Sequence, residues 1–333
     1  MEIVQNESNS IIEVSDLSVE FRTGNRNIKA VNNISFSLKQ SETLAILGES
    51  GSGKSTAALA ILGLLPKSIA KISNGKIIYK NQDLLQLPEA KKRKLYGTQL
   101  SIIFQDPLSA LNPVLTIGYQ IGEALRFHQK LKKKDVKKKV IELMEQVKIP
   151  DAANRINNYP HQFSGGMQQR VMIAMALALN PDVLIADEPT TALDVTVQAQ
   201  IMNLLKELQQ KYKMGLILIS HDLGVVAEYA NQVAVMYAGR IVEQGQVNEV
   251  FTKPTHPYTI GLMKSIPKIN NKNERLTPIK GSPPNFYKLS KGCSFYDRCR
   301  FAKEKCKQET PVLREVMKDR KSACHFAEEV MNK

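Results

Sequence analysis

The pattern of residues in the first part of the chain predicts two strands, a third strand that is buried, a loop and a helix. Residues 12–21 alternate loosely between apolar and polar side chains, which indicates a strand near a sheet edge, and residues 33–38 indicate a second strand. The mostly apolar run 43–47 is typical of a strand buried on both faces. Residues 54–65 have helical composition, and Pro66 ends that helix.

The pattern downstream predicts a helical region inserted between two halves of an α/β core. Between residues 105 and 180, apolar positions recur at helical spacing, and the run 171–179 is typical of a buried helix. Residues 183–186 and 216–219 indicate buried strands joined by a helix over 195–212, a βαβ unit that implies parallel strands. Residues 233–237 and 240–244 indicate closing strands. From residue 254 onward no clear period is visible, and we interpret that part as a separate C-terminal extension.

Composition and charge narrow the class of protein. Of 333 residues, 43% are hydrophobic and 23% are charged, which is ordinary for a globular protein. The net charge of +14 raises nucleic acid and an anionic membrane surface as candidate partners. The basic runs at 91–94, 132–134 and 137–139 are, however, typical of solvated helix faces, and no aromatic residues alternate with them, so a platform for single-stranded nucleic acid is not supported.

Neither a membrane span nor a secretory signal is visible in the sequence. The longest apolar run, 171–179, is far shorter than the roughly 20 residues that a bilayer-spanning helix needs. The N-terminus lacks the basic start and apolar stretch of a secretory signal. We therefore expect a cytoplasmic chain that reaches the membrane through a partner.

A glycine-rich segment between the buried strand and its helix predicts a phosphate-binding loop. Its glycines allow backbone N–H groups to converge on phosphate oxygens, and the positive end of the following helix faces the anion. Lys54 supplies a full charge to the outer phosphates, and the Ser55 hydroxyl is suited to ligate Mg²⁺. The predicted nucleotide-binding residues of this segment are Gly48, Ser50, Gly51, Ser52, Gly53, Lys54, Ser55 and Thr56.

Two further motifs carry candidate chemistry. The strand at 183–186 ends in Asp187, suited to hold Mg²⁺, and Glu188, suited to orient and polarise the attacking water. Because ligands bind at the carboxyl ends of parallel strands, we expect both acids beside the phosphate loop. Ser164, Gly165 and Gly166 open a helix and form a second potential anion site. Since the chain already has a phosphate loop, we expect that second site to complete the nucleotide pocket of a partner chain.

The ordered set of motifs resembles that of the ATPase subunits of ATP-binding cassette (ABC) transporters. The resemblance implies an α/β fold with a P-loop NTPase (RecA-like) core in residues 1–253, a helical subdomain at about 106–180 inserted in it, and a C-terminal Cys-rich extension at 254–333. It also implies ATP and Mg²⁺ as cofactors and an ATPase activity coupled to transport, in which two chains enclose two ATP molecules.

The same resemblance assigns roles to further residues. Gln105 matches the glutamine that contacts Mg²⁺ and water and couples the helical subdomain to the membrane subunit. Asp194 ends the Thr191-Ala192-Leu193-Asp194 loop that crosses the dimer interface, and His221 matches the histidine that contacts the terminal phosphate. Phe21 lies where the family has an aromatic residue that stacks on adenine, the alternative being a core phenylalanine.

Other segments resemble one branch of the family, the ATPase subunits of oligopeptide, dipeptide and nickel importers. These segments are Tyr159-Pro160-His161-Gln162, the following stretch to Arg170, His256-Pro257-Tyr258-Thr259 and Gly281-Ser282-Pro283-Pro284. The implied partners are a second, paralogous ATPase chain, two membrane permease subunits and, through the permease, an extracytoplasmic peptide-binding protein, with no nucleic acid. The implied location is peripheral, at the cytoplasmic face of the cell (inner) membrane. The sequence leaves open whether the cargo is an oligopeptide, a dipeptide or nickel.

Four cysteines near the C-terminus form a candidate metal site. Gaps of five, six and seventeen residues separate Cys293, Cys299, Cys306 and Cys324, which is unlike the paired close spacing of zinc ribbons. Four thiolates suit an iron–sulfur cluster, and the tail resembles that of peptide-importer subunits that carry a four-iron [4Fe–4S] cluster. Structural zinc and unligated thiols are the alternatives, and His325 is a possible substitute ligand.

Two residues near the signature depart from the general ABC pattern. Met167 replaces the usual glutamine at the end of the signature and Phe163 replaces leucine, and both replacements are tolerable within the peptide-importer branch.

One rival function is that of a DNA-maintenance ATPase, which also encloses ATP between two chains. Such proteins usually insert a long coiled coil between the phosphate loop and the signature. Here about 108 residues without sustained heptads separate Ser55 from Ser164. A scaffold that uses ATP only to dimerise would not need the full set of catalytic residues.

Overall fold

A computed structural model describes residues 10–24, 26–191, 193–265, 278–284, 286 and 291–332 of the chain. The strands are β1 (Ser10–Thr23), β2 (Arg26–Lys39), β3 (Thr43–Leu47), β4 (Ala70–Tyr79), β5 (Gln82–Asp83), β6 (Leu100–Ile103), β7 (Val183–Asp187), β8 (Gly215–Ser220), β9 (Gln232–Tyr237), β10 (Arg240–Gln246), β11 (Arg314–Met317) and β12 (Arg320–Ser322).

The helices alternate with these strands along much of the chain. They are α1 (Lys54–Ile61), α2 (Glu89–Leu95), α3 (Pro107–Ala110), α4 (Ile117–Gln129), α5 (Lys133–Gln146), α6 (Ala152–Arg155), α7 (Gly165–Leu177), α8 (Val195–Tyr212), α9 (Leu223–Tyr229), α10 (Val247–Thr252), α11 (Pro257–Lys264), α12 (Glu304–Gln308) and α13 (Ala327–Met331). Within the described ranges, every helix is too short or too polar to cross a membrane.

The described residues divide into two compact units. The first, which we call the helical unit, contains residues 86–219 with the short segments 10–11 and 38–42. The second, the phosphate-loop unit, contains residues 12–37 and 43–85 and the described residues from 220 onward.

The phosphate-loop unit contains two groups of paired strands. One is a sheet in the order β2-β1-β4-β5, in which β1 pairs antiparallel with β4 from Ile12 opposite Tyr79 to Phe21 opposite Ala70. The other runs in the order β11-β12-β10-β9-β3, and β3 pairs parallel with β9. All five residues of β3 are buried, as expected for an apolar strand covered on both faces. The phosphate loop leaves the carboxyl end of that strand.

The helical unit combines three parallel strands with a group of packed helices. Its strands follow the order β8-β7-β6, with Val183 opposite Gly215 and Leu100 opposite Val183. Helices α4 and α5 pack against each other and both pack against α7, which also contacts α8. The predicted βαβ unit of residues 183–219 is confirmed, because α8 connects the parallel strands β7 and β8.

The structure corrects several expectations from the sequence. The first strand was expected near a sheet edge, but β1 lies between β2 and β4 in the interior of its sheet. Its alternation reflects one covered face and not an edge position. The helix expected to reach residue 65 ends at Ile61. Strands β4, β5, β6, β11 and β12 were not predicted, and β12 pairs antiparallel with β10, so the C-terminal segment adds strands beside the core.

Candidate functional site

The phosphate loop connects β3 to α1 with backbone in close contact with neighbouring strands. Gly53 has a φ of +104°, and a Cβ there would lie 2.4 Å from the Ala30 carbonyl oxygen. A Cβ on Gly48 would lie 2.3 Å from the Met236 carbonyl oxygen. Both positions therefore require glycine, and the loop backbone is held against its own unit on both sides.

The lysine of this loop folds back onto the loop itself. The Lys54 ammonium donates to the Gly48 carbonyl oxygen at 2.8 Å and to the Glu49 carbonyl oxygen at 3.0 Å. Lys54 is 5% exposed, so its charge is desolvated and directed into the loop. The buried Ser52 hydroxyl has no hydrogen-bond partner among the described residues, as expected for a polar group inside a loop that receives a ligand.

The structure places the other predicted residues of this unit as follows. Ser50, Gly51 and Ser55 are exposed on the loop and the first turn of α1, and Thr56 is the third residue of that helix. The partly exposed Phe21 lies near the end of β1, opposite Ala70. His221 is exposed and follows β8, immediately before Asp222, whose side chain caps α9 by accepting from the Gly224 N–H at 2.8 Å.

In the helical unit, two predicted catalytic residues contact each other. The Gln105 side-chain amide donates to the Glu188 carboxylate at 2.9 Å. The Thr191 hydroxyl donates to the same carboxylate oxygen at 3.0 Å. Asp187 ends β7 and is buried, and the Glu188 N–H donates to the Ile219 carbonyl oxygen at 2.9 Å. Glu188 is thus held by its backbone and by two side-chain donors at the end of a buried strand. The sequence placed Thr191 in the predicted interface loop but did not predict its contact with Glu188, although its position three residues after Glu188 is a local signal.

The predicted signature residues open α7. Ser164 is the N-cap residue, with a φ of −66° and a ψ of 161°; its side chain accepts no capping hydrogen bond, and the residue is exposed. A Cβ on Gly166 would lie 2.6 Å from Cγ1 of Val197 on α8. The buried Gln168 amide donates to the Pro160 and Phe163 carbonyl oxygens at 2.9 and 3.1 Å, which closes the turn before the helix.

The two departures from the general signature have structural contacts. Phe163 is 5% exposed and packs in the core of the unit. The sulfur of Met167 accepts from the Arg155 guanidinium at 3.7 Å. Asp194, expected at a dimer interface, caps α8 by accepting from the Val197 N–H at 2.9 Å.

All four cysteines line one small cavity in the phosphate-loop unit, and all are free thiols. Burial raises the pKa of Cys293, Cys299 and Cys324 to about 11, with a smaller contribution from neighbouring cysteines. His256 lines the same cavity and is neutral, because burial lowers its pKa to about 3. His325 contacts the Glu309 carbonyl oxygen at 3.0 Å through Nε2. Among the described residues, no group of three or more His, Cys, Asp or Glu side chains is arranged to hold a single metal ion.

Two family models match the chain. Residues 31–191 match the ABC transporter model, and residues 242–306 match the model of the oligopeptide/dipeptide transporter C-terminal region. The two matches cover the phosphate loop, the signature, the Asp187-Glu188 pair and three of the four cysteines.

Curated relatives match over most of their length. The dipeptide transport ATP-binding protein DppD of Bacillus subtilis (strain 168) is 51% identical over 87% of this chain and 86% of the relative. The protein of the same name from Escherichia coli (strain K12) is 47% identical over 95% of this chain and 97% of the relative.

Solved structures show the same fold. A dimeric post-hydrolysis state of the ATP-binding cassette MJ0796, bound to ADP and phosphate, superposes with a TM-score of 0.64 at 28% identity. The match covers 71% of this chain and 98% of that one. The structure of cbiO1 from Clostridium perfringens, part of the ABC transporter complex cbiONQ, gives a TM-score of 0.63 at 30% identity over 73% of this chain and 91% of the other. These matches confirm both the resemblance and the expected ABC-type α/β fold. The chain belongs to the ABC transporter family, as an ATP-hydrolysing subunit of the branch that carries the oligopeptide/dipeptide transporter C-terminal region.

Proposed function

We propose that this chain hydrolyses ATP to power the import of oligopeptides or dipeptides through a membrane permease. The observation that carries the proposal is the presence, in one chain, of an ABC ATPase segment and the peptide-transporter C-terminal region, together with 51% identity to a dipeptide transport ATP-binding protein. ABC ATPases dimerise and act with membrane permease subunits. For this chain we propose a paralogous ATPase partner, two permease subunits, an extracytoplasmic peptide-binding protein and a peripheral position at the cytoplasmic face of the inner membrane.

The described contacts support specific roles for residues of the chain. Lys54 would leave the loop carbonyls for the outer phosphates of ATP, with the Ser52 hydroxyl available as a further donor. The Ser55 hydroxyl and the Asp187 carboxylate provide oxygen ligands of the kind that Mg²⁺ requires. Glu188, held by Gln105 and Thr191, would orient the attacking water, and His221 would contact the terminal phosphate.

Other residues of the chain are proposed to act beyond its own phosphate loop. Ser164, Gly165 and Gly166 would bind the nucleotide of the partner ATPase, since they open an exposed helix N-terminus. Asp194 would lie at the same interface, and Phe21 would stack on adenine with its partly exposed ring. Leu108 and Val114, which follow Gln105, are 68% and 76% exposed and offer an apolar surface for the permease.

The experiment that tests this function uses vesicles containing the assembled transporter. With the peptide-binding protein outside and ATP available to this chain, labelled dipeptide should accumulate, and Glu188→Gln should reduce both ATP hydrolysis and uptake by about 100-fold or more. The variant should still bind ATP and remain dimeric. The exposed Glu142→Gln on α5 is the matched control and should transport normally.

Two outcomes would contradict the proposal. Normal hydrolysis by the Glu188→Gln variant would remove the assigned role of that carboxylate. ATP-dependent accumulation of nickel without accumulation of peptide would overturn the peptide substrate while leaving the ATPase chemistry intact.

We also propose that the four cysteines hold a [4Fe–4S] cluster. The donor set fits, because four thiols line one cavity and Cys₄ ligation is common for such clusters. A multi-iron cluster is larger than a single ion, so its thiolates are spaced more widely than those around zinc. Anaerobically purified protein should be brown, with absorbance at roughly 400 nm. The Cys306→Ser variant should lose that absorbance. Colourless, zinc-loaded protein would contradict the assignment.

A further inference from the structure

The phosphate loop contains an acidic residue, whose negative charge is unfavourable in a site that binds phosphate. Glu49 is the second residue of the segment that begins at Gly48 and is only partly exposed. A carboxylate near the bound triphosphate would repel it, and the repulsion is larger at a partly buried site than in open water. The loop therefore needs a group that neutralises this carboxylate and fixes its direction.

That group comes from the C-terminal segment, 249 residues away in sequence. The Arg298 guanidinium makes two parallel hydrogen bonds to the Glu49 carboxylate, Nη1 to Oε2 at 2.8 Å and Nη2 to Oε1 at 3.1 Å. The Arg298 side chain is 6% exposed and that of Glu49 is 27% exposed. A bidentate pair of this kind fixes the plane of the carboxylate as well as its charge.

The arginine is itself held in place from several sides. Its Nε donates to the Lys280 carbonyl oxygen at 3.1 Å, and its guanidinium lies 5.8 Å from the centre of the Tyr237 ring and 5.9 Å from that of Phe295. Such contacts restrict the arginine to one orientation, so the position of the Glu49 carboxylate is restricted with it.

A second residue of the C-terminal segment holds the backbone of the same loop position. The Glu49 N–H donates to the Tyr258 hydroxyl at 2.9 Å, and Tyr258 is completely buried in α11. The Tyr258 ring packs at 4.6 Å from the Tyr237 ring and at 5.5 Å from the Phe295 ring, centre to centre. The N–H and the carboxylate of Glu49 are therefore both engaged by residues beyond the nucleotide-binding motifs.

We propose that Arg298 is a positioning residue for ATP binding, which neutralises Glu49 and holds it in one orientation so that the phosphate loop accepts the triphosphate. The proposal rests on ATP binding by this loop and is independent of the transported substrate. Arg298 lies directly before Cys299, so the cysteine-bearing segment contributes to the affinity of the chain for its nucleotide.

The test is a double-mutant cycle on the full chain, with ATP binding measured by calorimetry in the absence of Mg²⁺. Arg298→Gln leaves the Glu49 carboxylate unpaired in the phosphate loop and should weaken ATP binding about tenfold, within the range of coupling between contacting residues. Adding Glu49→Gln removes the repelling charge, and the double variant should bind within about threefold of the parent. In the assembled transporter, Arg298→Gln should raise the KM for ATP and leave kcat unchanged.

The matched control is Arg314→Gln. Arg314 makes a similar bidentate pair with Glu328, at 2.7 and 2.8 Å, elsewhere in the C-terminal segment, and its loss should leave ATP affinity unchanged. If Arg298→Gln does not fold, Arg298→Lys keeps the charge but loses the two-point contact and should weaken binding about threefold, again reversed by Glu49→Gln. Unchanged affinity in the Arg298 variant, or a double variant as weak as the single one, would overturn the proposal.

Discussion

At the scale of single residues, Glu188 combines a strained backbone with a well-held side chain. Its φ of +46° lies in the left-handed region, which costs a non-glycine residue about 1 kcal/mol or more. The backbone N–H bond to Ile219 and the donors from Gln105 and Thr191 offset that cost. Strain of this kind persists where surrounding contacts determine the conformation, which supports a functional role for the residue.

A second residue-scale feature is a completely buried ion pair. The Arg320 guanidinium on β12 donates to the Glu243 carboxylate on β10 at 3.0 Å, and the two side chains are 2% and 0% exposed. Arg320 also donates to the Lys253 carbonyl oxygen. Glu243 accepts from the Thr255 N–H and hydroxyl and from the His256 N–H. The pair therefore anchors the C-terminal strand to the core.

Breaking this pair should cost much more stability than breaking an exposed one. Arg320→Met leaves the buried Glu243 charge without its cation and should lower the free energy of unfolding by about 3 kcal/mol. The exposed Arg314→Met, which breaks the pair with Glu328, should lower it by less than about 1 kcal/mol. Chemical denaturation of both variants measures the difference in their free energies of unfolding, as long as these free energies depend on denaturant concentration with the same slope. If both variants lost the same free energy of unfolding, burial would not determine how much the Arg320–Glu243 pair contributes to stability.

At the scale of elements, the start of α7 depends on its contact with α8. Gly166 lies against Val197, and the Gln168 amide closes the preceding turn. Glycine at this position serves two requirements, close packing inside the unit and, in the proposed dimer, close approach to the nucleotide of the partner. Stability and activity measurements can separate the two.

Gly166→Ala should lower the thermal stability of the chain, because the new Cβ would lie 2.6 Å from the Val197 side chain. Adding Val197→Ala removes that clash and should restore most of the lost stability. If Gly166 also faces a partner's nucleotide, the double variant should remain impaired in ATP hydrolysis, whereas Val197→Ala alone should hydrolyse ATP normally. A stable and fully active double variant would limit the role of Gly166 to packing.

At the scale of the whole molecule, the C-terminal segment is built into the phosphate-loop unit. β12 pairs with β10, the Phe295 ring packs at 5.2 Å from that of Tyr237, and Arg298 and Tyr258 both contact Glu49. The cysteine cavity is lined by the same segment. The segment therefore contributes to the stability of the unit, and in our proposal it also sets the affinity for ATP.

The sequence alone predicted the features that depend on local patterns. The glycine-rich loop, the buried strands β3, β7 and β8 and the helices between residues 105 and 180 were predicted because glycine spacing and apolar periodicity act within a few residues. The resemblance carried by those motifs also predicted the family, which the comparisons confirm. The roles of individual site residues remain predictions.

Only the tertiary structure decided which distant segments meet. The interior position of β1, the pairing of β12 with β10 and the contact of Arg298 with Glu49 are long-range pairings. No local periodicity encodes such pairings, because they depend on burial and charge complementarity between elements that are far apart in the chain. From the sequence alone, Arg298 would be interpreted as a surface residue, and only the fold shows that it contacts Glu49 in the phosphate loop.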